Sequence, residues 1–252
     1  MARGWLVPWH PRPDRRPALL CLPPAGAGCG QFGTWQAAFG DAVSVIGAQL
    51  PGRETRWADP PPDTVEEAVG SVADELTELI PPELPVVVFG HSFGGLLGYE
   101  IARRLGRDGR WPGALVVAAC RPPHHWVGAG RGLVDDDREL ARLLDDRRLG
   151  DEDLDEDSRE LMLDVLRQDA RLSLTYTDPA GARVECPLEA WGGRDDPTVL
   201  PGQVAGWREY AAGSFRDRVL AGGHYFCLES AEPARGLLAA LLTAPGAAAH
   251  VS

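Results

Sequence analysis

Hydrophobic positions in this sequence follow two alternating patterns. Short apolar runs, typical of strands buried on both faces of a sheet, lie at residues 18–22, 43–50, 86–89, 114–119, 184–191 and 215–220. Other segments carry apolar residues at helical spacing, as Leu97, Ile101 and Leu105 do, and Gly106 is expected to end that helix. This alternation predicts an α/β protein whose central sheet is mostly parallel and flanked by helices.

Three further helices are predicted elsewhere in the chain. Thr64 is a candidate N-cap, because Glu66 and Glu67 follow it in the expected first turn. That helix is expected to run to about Ile80, before Pro81. Shorter helices are predicted around 203–210 and at 231–242, and the small-residue tail at 245–252 is expected to fray.

Residues 121–183 depart from the alternation of single strands and helices. Amphipathic helices are predicted at 133–149 and 157–172, joined by an acidic stretch at 150–157. About 60 residues between two core strands exceed what one crossover connection needs. We therefore expect one domain over residues 1–252, with a helical lid inserted at 121–183. The acidic stretch is interpreted as a solvated surface, with metal binding as the less favoured alternative.

Composition excludes several classes of protein. The 252 residues are 44% hydrophobic and 25% charged, as expected of a globular chain that can bury a full core. A net charge of −12 argues against nucleic acid as a partner. No apolar run approaches the roughly 20 residues of a membrane span, and the N-terminus lacks the features of a signal peptide. Five cysteines without a C-x-x-C pair favour reduced thiols and a cytoplasmic location.

The sequence Gly90-His91-Ser92-Phe93-Gly94 lies between a predicted strand and a predicted helix. It matches G-x-S-x-G, the nucleophile elbow of the α/β-hydrolases. The tight turn would project the Ser92 hydroxyl above the sheet, while the N–H of Phe93 and the helix dipole face an oxyanion. An ordinary glycine-containing turn is the alternative, but the flanking strand and helix favour the elbow.

A serine nucleophile requires a base and an acid, which follow it in the order Ser, acid, His in this fold. His224 is the candidate base, since it lies in a Gly-rich loop after the last predicted strand. Asp195 and Asp196 both follow the preceding strand, and the spacing Gly193-x-x-Asp196 favours Asp196 as the acid. His91 is expected to pack beside the elbow.

A second Gly-rich loop follows the strand at 18–22 and reads Pro23-Pro24-Ala25-Gly26. It contains neither G-x-x-x-x-G-K-[ST] nor G-x-G-x-x-G, so a phosphate-binding loop is not indicated. In α/β-hydrolases the loop at this place supplies the second N–H of the oxyanion hole, for which Ala25 is the candidate. A plain Gly-rich connection is the alternative.

Taken together, these motifs make the chain resemble the type II thioesterases, the stand-alone editing enzymes of polyketide and non-ribosomal peptide assembly lines. The resemblance rests on residues 22–26, 49–54 with Arg56, 90–95, 193–197 and 223–226, in the family's order. Leu22 and Pro24 replace the aromatic residue and histidine usual in the first segment, and Trp191 replaces a smaller residue before the acid loop. These departures are expected to alter the acyl pocket rather than the catalytic groups.

The resemblance implies hydrolysis of acyl thioesters from the phosphopantetheine arm of an acyl- or peptidyl-carrier protein. Ser92, Asp196 and His224 would form the catalytic triad, the N–H groups of Phe93 and Ala25 would hold the oxyanion, and no metal or organic cofactor would be needed. A monomer without membrane contacts is expected. Arg53 and Arg56 would either contact the carrier or pin their own loop.

Three alternatives remain open from the sequence. The chain could be a carboxylesterase or lipase acting on free esters. It could be a catalytically idle binding module with the same fold, although the intact Ser92, Asp196 and His224 speak against that. It could also be a release domain cut from a larger synthase.

Overall fold

The computed structural model describes residues 4–145 and 156–243, which are built around a seven-stranded sheet. Its spatial order is β1-β3-β2-β4-β5-β6-β7, and every neighbouring pair is parallel except the antiparallel pair of β1 with β3. The expected α/β class with a mostly parallel sheet is confirmed. The strands are β1 (Leu6–Pro8), β2 (Ala18–Leu22), β3 (Ser44–Ala48), β4 (Val86–His91), β5 (Ala114–Ala118), β6 (Leu188–Gly193) and β7 (Phe215–Leu220).

Helices cover both faces of the sheet, which explains why β2 to β6 are mostly apolar and fully buried. Successive residues of a strand point to opposite faces, so Leu20 joins one core and Leu19 the other. The α-helices of the described chain are α1 (Gly33–Phe39), α2 (Val65–Leu79), α3 (Phe93–Arg107), α4 (Asp137–Asp145), α5 (Glu156–Leu174), α6 (Pro201–Ala205), α7 (Phe226–Glu229) and α8 (Ala231–Thr243).

Helices α2 and α3 pack in the core that contains Leu20, whereas α1 and α8 pack in the core that contains Leu19. Helix α2 begins where its sequence predicts, because the Thr64 hydroxyl accepts a hydrogen bond from the N–H of Glu67 at 3.1 Å. Helix α8 likewise agrees with the predicted range. Of the helices that close the two sheet faces, α2, α3 and α8 were predicted from the hydrophobic pattern, whereas α1 was not.

Strand β1, at one edge of the sheet, was not predicted from the sequence. It has three residues and ends at Pro8, so its pattern is too short to be recognised without its partner β3. The carboxylate of Glu75 on α2 accepts hydrogen bonds from the N–H groups of Trp5 at 2.6 Å and Leu6 at 3.2 Å. Pairing with β3 and capping by Glu75 together fix this strand, and both are long-range contacts.

Two predicted boundaries are wrong for identifiable reasons. Helix α3 continues past Gly106 to Arg107, and the left-handed turn falls at Gly109, with φ +73°. A β-carbon on Gly106 would overlap the ring of Trp111, so this glycine makes room for packing rather than ending the helix. Strand β6 begins at Leu188 instead of residue 184, because Pro187 has no N–H to donate to a sheet.

The helices predicted after residue 121 and residue 203 also differ from those observed. Helix α4 starts at Asp137 rather than 133, since the Asp136 side chain accepts from the N–H groups of Arg138 and Glu139 and so caps it. The predicted helix at 203–210 consists of the short α6 and a following 3₁₀ turn, Gly206–Tyr210. Residues 146–149 of the predicted lid helix, residues 150–155 of the acidic stretch and the tail at 245–252 lie outside the described residues.

Between residues 4 and 145 and between 156 and 243, every helix is too short or too polar to cross a lipid bilayer. In the same two ranges, no three His, Cys, Asp or Glu side chains are grouped as metal ligands. The five cysteines are all buried and unpaired, and burial raises the pKa of the Cys29 and Cys120 thiols to about 12.

Candidate active site

Ser92 lies in a strained turn between β4 and α3. Its φ of +52° and ψ of −118° place it in a backbone region that non-glycine residues rarely adopt. The turn is held on both sides, because the N–H of Ser92 donates to the carbonyl of Ala118 at 2.8 Å and the N–H of Gly95 donates to the carbonyl of Ser92 at 2.8 Å. The strand, the sharp turn and the helix that G-x-S-x-G predicts are therefore all present around Ser92.

The two glycines of the motif are required by close backbone contacts. A β-carbon on Gly90 would overlap the carbonyl oxygen of Gly94. A β-carbon on Gly94 would overlap the carbonyl oxygens of Leu22 and Pro23, at the end of the neighbouring strand β2. Because these obstacles are backbone atoms, a larger residue could not be accommodated by a side-chain rotation.

His224 and Asp196 come from the loops that follow β7 and β6. The Nδ1 atom of His224 lies 2.8 Å from Oδ2 of Asp196. The other oxygen of Asp196 accepts from the N–H groups of Thr198 at 2.7 Å and Val199 at 3.0 Å. Burial alone would raise the pKa of Asp196, but the hydrogen bond and charge of His224 together with these two N–H groups hold it below its usual value.

Asp195, the other candidate acid, lies in a different environment. Its side chain is exposed and lines the cavity described below, whereas Asp196 is buried behind the imidazole. The N–H of Asp195 donates to the carbonyl of Gly222 at 2.9 Å, which ties the β6 loop to the β7 loop. The structure therefore brings Asp196, and not Asp195, into contact with the ring of His224.

His91 packs beside the elbow, as its position next to Ser92 suggested. Its ring is fully buried and stacks on Tyr225, with centroids 5.6 Å apart and planes inclined by 18°. The ring of His224 meets it edge-on at 5.4 Å. His91 thus supports the loop that carries His224.

A cavity of about 550 Å³ opens above the carboxyl edge of the sheet. Four of the predicted site residues line it: Ser92, Phe93, Ala25 and His224. Asp196, the fifth, is not on the wall. The side of the cavity formed by residues 121–183 is mostly apolar: beside the polar Arg121, Asp169 and Ser173 it contains Trp126, Ala129, Leu133, Leu140, Leu143, Leu166 and Ala170. A reacting group near Ser92 would therefore extend into an apolar chamber.

Asp169, on the cavity side of α5, was not identified from the sequence. Its two carboxylate oxygens accept from Nη1 and Nη2 of Arg53 at 2.7 and 2.6 Å. One of them also accepts from the N–H of Gly26 at 2.5 Å. No sequence signal could have found this contact, because 116 residues separate Arg53 from Asp169 and 143 separate Gly26 from Asp169.

Arg53 and Arg56 are buried, which argues against contact with a carrier protein, one of the two roles that the sequence left open for them. Their exposed fractions are 6% and 8%. Arg56 donates from Nε to Asp59 at 2.7 Å and from Nη1 to the carbonyl of Gln49 at 3.1 Å, and its guanidinium lies 4.6 Å above the ring of Trp5. Both arginines hold their own loop in place, which was the other interpretation of the motif.

The strand order, the elbow after a central strand and the acid and histidine loops after β6 and β7 define an α/β-hydrolase. The family model of the thioesterase domain matches residues 17–241. The chain belongs to the thioesterase family and, within it, to the type II thioesterases. It is therefore an enzyme of the thioesterase class.

Individual relatives share most of the chain's length. It is 35% identical over 233 residues to the probable cadicidin biosynthesis thioesterase of Streptomyces griseus, covering 89% of this chain but 62% of that protein. It is 34% identical over 228 residues to thioesterase PikA5 of Streptomyces venezuelae, covering 88% and 79%. The structure of the type II thioesterase BorB from the borrelidin biosynthetic cluster superimposes with a TM-score of 0.85 at 30% identity, covering 96% and 100%.

Proposed function

We propose that this chain hydrolyses acyl groups from the phosphopantetheine arm of an acyl- or peptidyl-carrier protein, in polyketide or non-ribosomal peptide biosynthesis. The observation that carries the proposal is the apolar chamber that leads from Ser92 and His224 to the lid helices. The names of the relatives support the biosynthetic setting, since they include a probable cadicidin biosynthesis thioesterase, a gramicidin S biosynthesis protein and a type II thioesterase from the borrelidin biosynthetic cluster. Release of a finished product and removal of a stalled intermediate both use the same reaction.

The chemistry follows from the contact between His224 and Asp196. An ionised Asp196 holds the proton of the imidazole on Nδ1, which leaves the lone pair of Nε2 free to accept the proton of Ser92. The Ser92 oxygen then attacks the thioester carbonyl, and the N–H groups of Phe93 and Ala25 stabilise the oxyanion. The pantetheine thiol leaves with a proton from His224.

Water completes the cycle. His224 removes a proton from a water molecule, the hydroxide adds to the acyl ester on Ser92, and collapse of the second tetrahedral intermediate releases the carboxylic acid. His224 returns the proton to the Ser92 oxygen. Each step uses groups of the chain and water, so the mechanism requires no metal or organic cofactor.

We also propose that residues 1–252 form a single domain with residues 121–183 as its lid. The described part of this segment leaves the sheet after β5, covers the cavity and returns at β6. A monomer in the cytoplasm is the proposed working form. The five unpaired thiols support the cytoplasmic location, because an oxidising compartment would favour disulfides.

Replacement of Ser92 by Ala tests the function directly. We expect Ser92→Ala to retain less than about one part in a hundred of wild-type hydrolysis of acyl-pantetheine and acyl-carrier substrates, since the nucleophile is lost. Ser71→Ala, the same change on α2 outside the cavity, is the matched control and should keep full activity.

Two results would contradict the proposal. Wild-type enzyme that cleaves simple esters but neither thioester would be an esterase. Wild-type enzyme that cleaves nothing and resists labelling by a fluorophosphonate would be a binding module.

A further inference from the structure

A buried carboxylate of the lid holds the loop that carries Ala25. Asp169 lies on α5, between Leu166 and Ala170, which both line the acyl chamber. Its partners are the Gly26 N–H, in the loop that carries Ala25, and the Arg53 guanidinium, in the loop after β3. Three separate parts of the chain are thus connected at one point beside the candidate site.

The ion pair between Arg53 and Asp169 has a fixed geometry. The side chains of Arg53 and Asp169 are 5% and 1% exposed, so neither charge can turn to solvent. The guanidinium binds the carboxylate through two nitrogens, and it also donates to the carbonyl of Ala27 at 3.2 Å. Breaking a buried, bidentate ion pair leaves an unpaired charge, which is costly. The Arg53 and Asp169 side chains are therefore held in this one geometry.

The carboxylate restricts the backbone next to Ala25. The Ala25 N–H shares its peptide plane with the carbonyl of Pro24, which accepts a hydrogen bond from the N–H of Ala27 at 3.1 Å. Gly26 follows Ala25 with φ +71°, a conformation that glycine adopts at little cost, and its N–H is held by Asp169 at 2.5 Å. The peptide planes on both sides of Ala25 are therefore each held by a hydrogen bond, and together they set the direction of the Ala25 N–H.

We propose that Asp169 is a positioning residue for the oxyanion hole: by holding the Gly26 N–H, it aims the Ala25 N–H at the reacting carbonyl. This inference rests on the proposed function of Ala25. It makes α5 a part of the catalytic apparatus as well as a wall of the acyl chamber. An acyl group that packs against Leu166 and Ala170 presses on the same helix that holds the oxyanion loop.

Replacing Asp169 by Asn removes the charge but keeps the shape of the side chain. We expect Asp169→Asn to lower kcat roughly tenfold or more, less than the roughly 100–1000-fold lost with a whole oxyanion donor. The KM for acyl-pantetheine should change less than twofold, because the acyl chamber is intact. A boronic acid that forms a tetrahedral adduct on the serine should bind more weakly by the same factor as the fall in kcat.

The exchanged pair Arg53→Asp with Asp169→Arg separates positioning from simple stabilisation. It restores opposite charges at the two sites, but the Gly26 N–H would then face a cation. We expect its melting temperature to recover relative to Asp169→Asn while kcat stays low. Recovery of kcat together with stability would overturn the proposal. If the exchanged pair does not fold, Asp169→Asn still decides, because a change in KM alone, with kcat and boronate affinity unaltered, would also overturn it.

Asp137→Asn provides the matched control on the same lid. Asp137 of α4 accepts from Arg167 of α5 at 2.7 Å, in an exposed pair away from residues 23–27. This variant should keep wild-type kcat, and an equal loss in both variants would show general loosening of the lid instead. The rate of Ser92 labelling by a fluorophosphonate is measured in parallel. It should be slower in Asp169→Asn even if acyl thioesters prove not to be substrates, so the two proposals can fail separately.

Discussion

Two adjacent aspartates illustrate how the fold divides roles between residues of the same type. Asp196 is buried, with one oxygen on His224 and the other on two backbone N–H groups, whereas Asp195 is exposed at the cavity wall. A carboxylate that is fully hydrogen-bonded in its ionised form keeps a fixed orientation. The environment, rather than the chemistry of the side chain, therefore favours Asp196 as the partner of the imidazole.

Exchanging each aspartate for asparagine tests this assignment. Asp196→Asn should lower kcat on the order of 10⁴-fold, because an amide no longer holds the productive tautomer of His224. Asp195→Asn, one position away, should change kcat by less than about tenfold, since surface substitutions have small effects. Single-turnover hydrolysis of an acyl-pantetheine measures both. A larger loss in Asp195→Asn would make Asp195 the acid.

The sequence allows a role to be predicted for residues that lie in a recognisable motif with their neighbours along the chain. Ser92 was predicted as the nucleophile from its motif, and His224 and Asp196 were predicted as base and acid from their order and their loops; the contact between the latter two is observed. Asp169 could not, because its partners lie more than a hundred residues away and α5 carries several other acidic residues. Arg53 was singled out by its motif, but its burial, and hence its role, depended on the position of α5.

Among the elements, the β4–α3 turn is constrained by close backbone contacts. Gly90 and Gly94 bring the turn against its own backbone and that of β2, while Gly70 on α2 has open space where a β-carbon would be. Glycine is thus needed at the turn, yet on α2 it leaves the unfolded chain more freedom than alanine would.

Alanine substitutions should show opposite signs at these two places. Gly94→Ala should destabilise the fold by about 1–3 kcal/mol or more, because the added methyl overlaps fixed carbonyl oxygens. Gly70→Ala should stabilise it by roughly 0.4–1 kcal/mol, since alanine restricts the unfolded chain and favours the helix. Urea denaturation at constant pH measures both. Destabilisation by Gly70→Ala would show that its open space is not available to a methyl group.

Helices and strands with a clear hydrophobic pattern in their own sequence were predictable. Those whose position depends on contacts with other residues were not. Strand β2 and helices α2 and α8 agree with their patterns within one or two residues. Strand β1 exists because β3 and Glu75 satisfy its backbone, and α4 begins at the Asp136 cap rather than at the first leucine of its apolar face. Strand pairing and capping side chains therefore determined the existence of β1 and the first residue of α4, which the spacing of hydrophobic residues did not determine.

At the scale of the whole molecule, charge limits how the proposed carrier protein could be recognised. The chain has a net charge of −12, and carrier proteins are expected to be acidic as well. Long-range steering should therefore be repulsive. With Arg53 and Arg56 buried, attraction has to come from other cations near the cavity, such as Arg121 on its wall, together with apolar contacts.

Salt should consequently have little effect on the KM for an acyl-carrier substrate. Raising the ionic strength from about 0.02 to 0.2 M shortens the Debye length and weakens both the local attraction and the overall repulsion. Initial rates over that range, with an acyl-pantetheine as the uncharged-partner control, give the comparison. A tenfold or greater fall in kcat/KM for the carrier substrate alone would reveal a strongly basic docking face.

The two edge strands affect how copies of the protein meet at high concentration. An exposed edge with free backbone groups can recruit a strand from another chain and begin aggregation. At β1, Pro8 offers no N–H and the Glu75 carboxylate already occupies the N–H groups of Trp5 and Leu6. At β7, Arg216, Asp217 and Arg218 place charges along the strand. Both ends of the sheet thus resist intermolecular strand addition, which favours a protein that stays dispersed in a crowded cell.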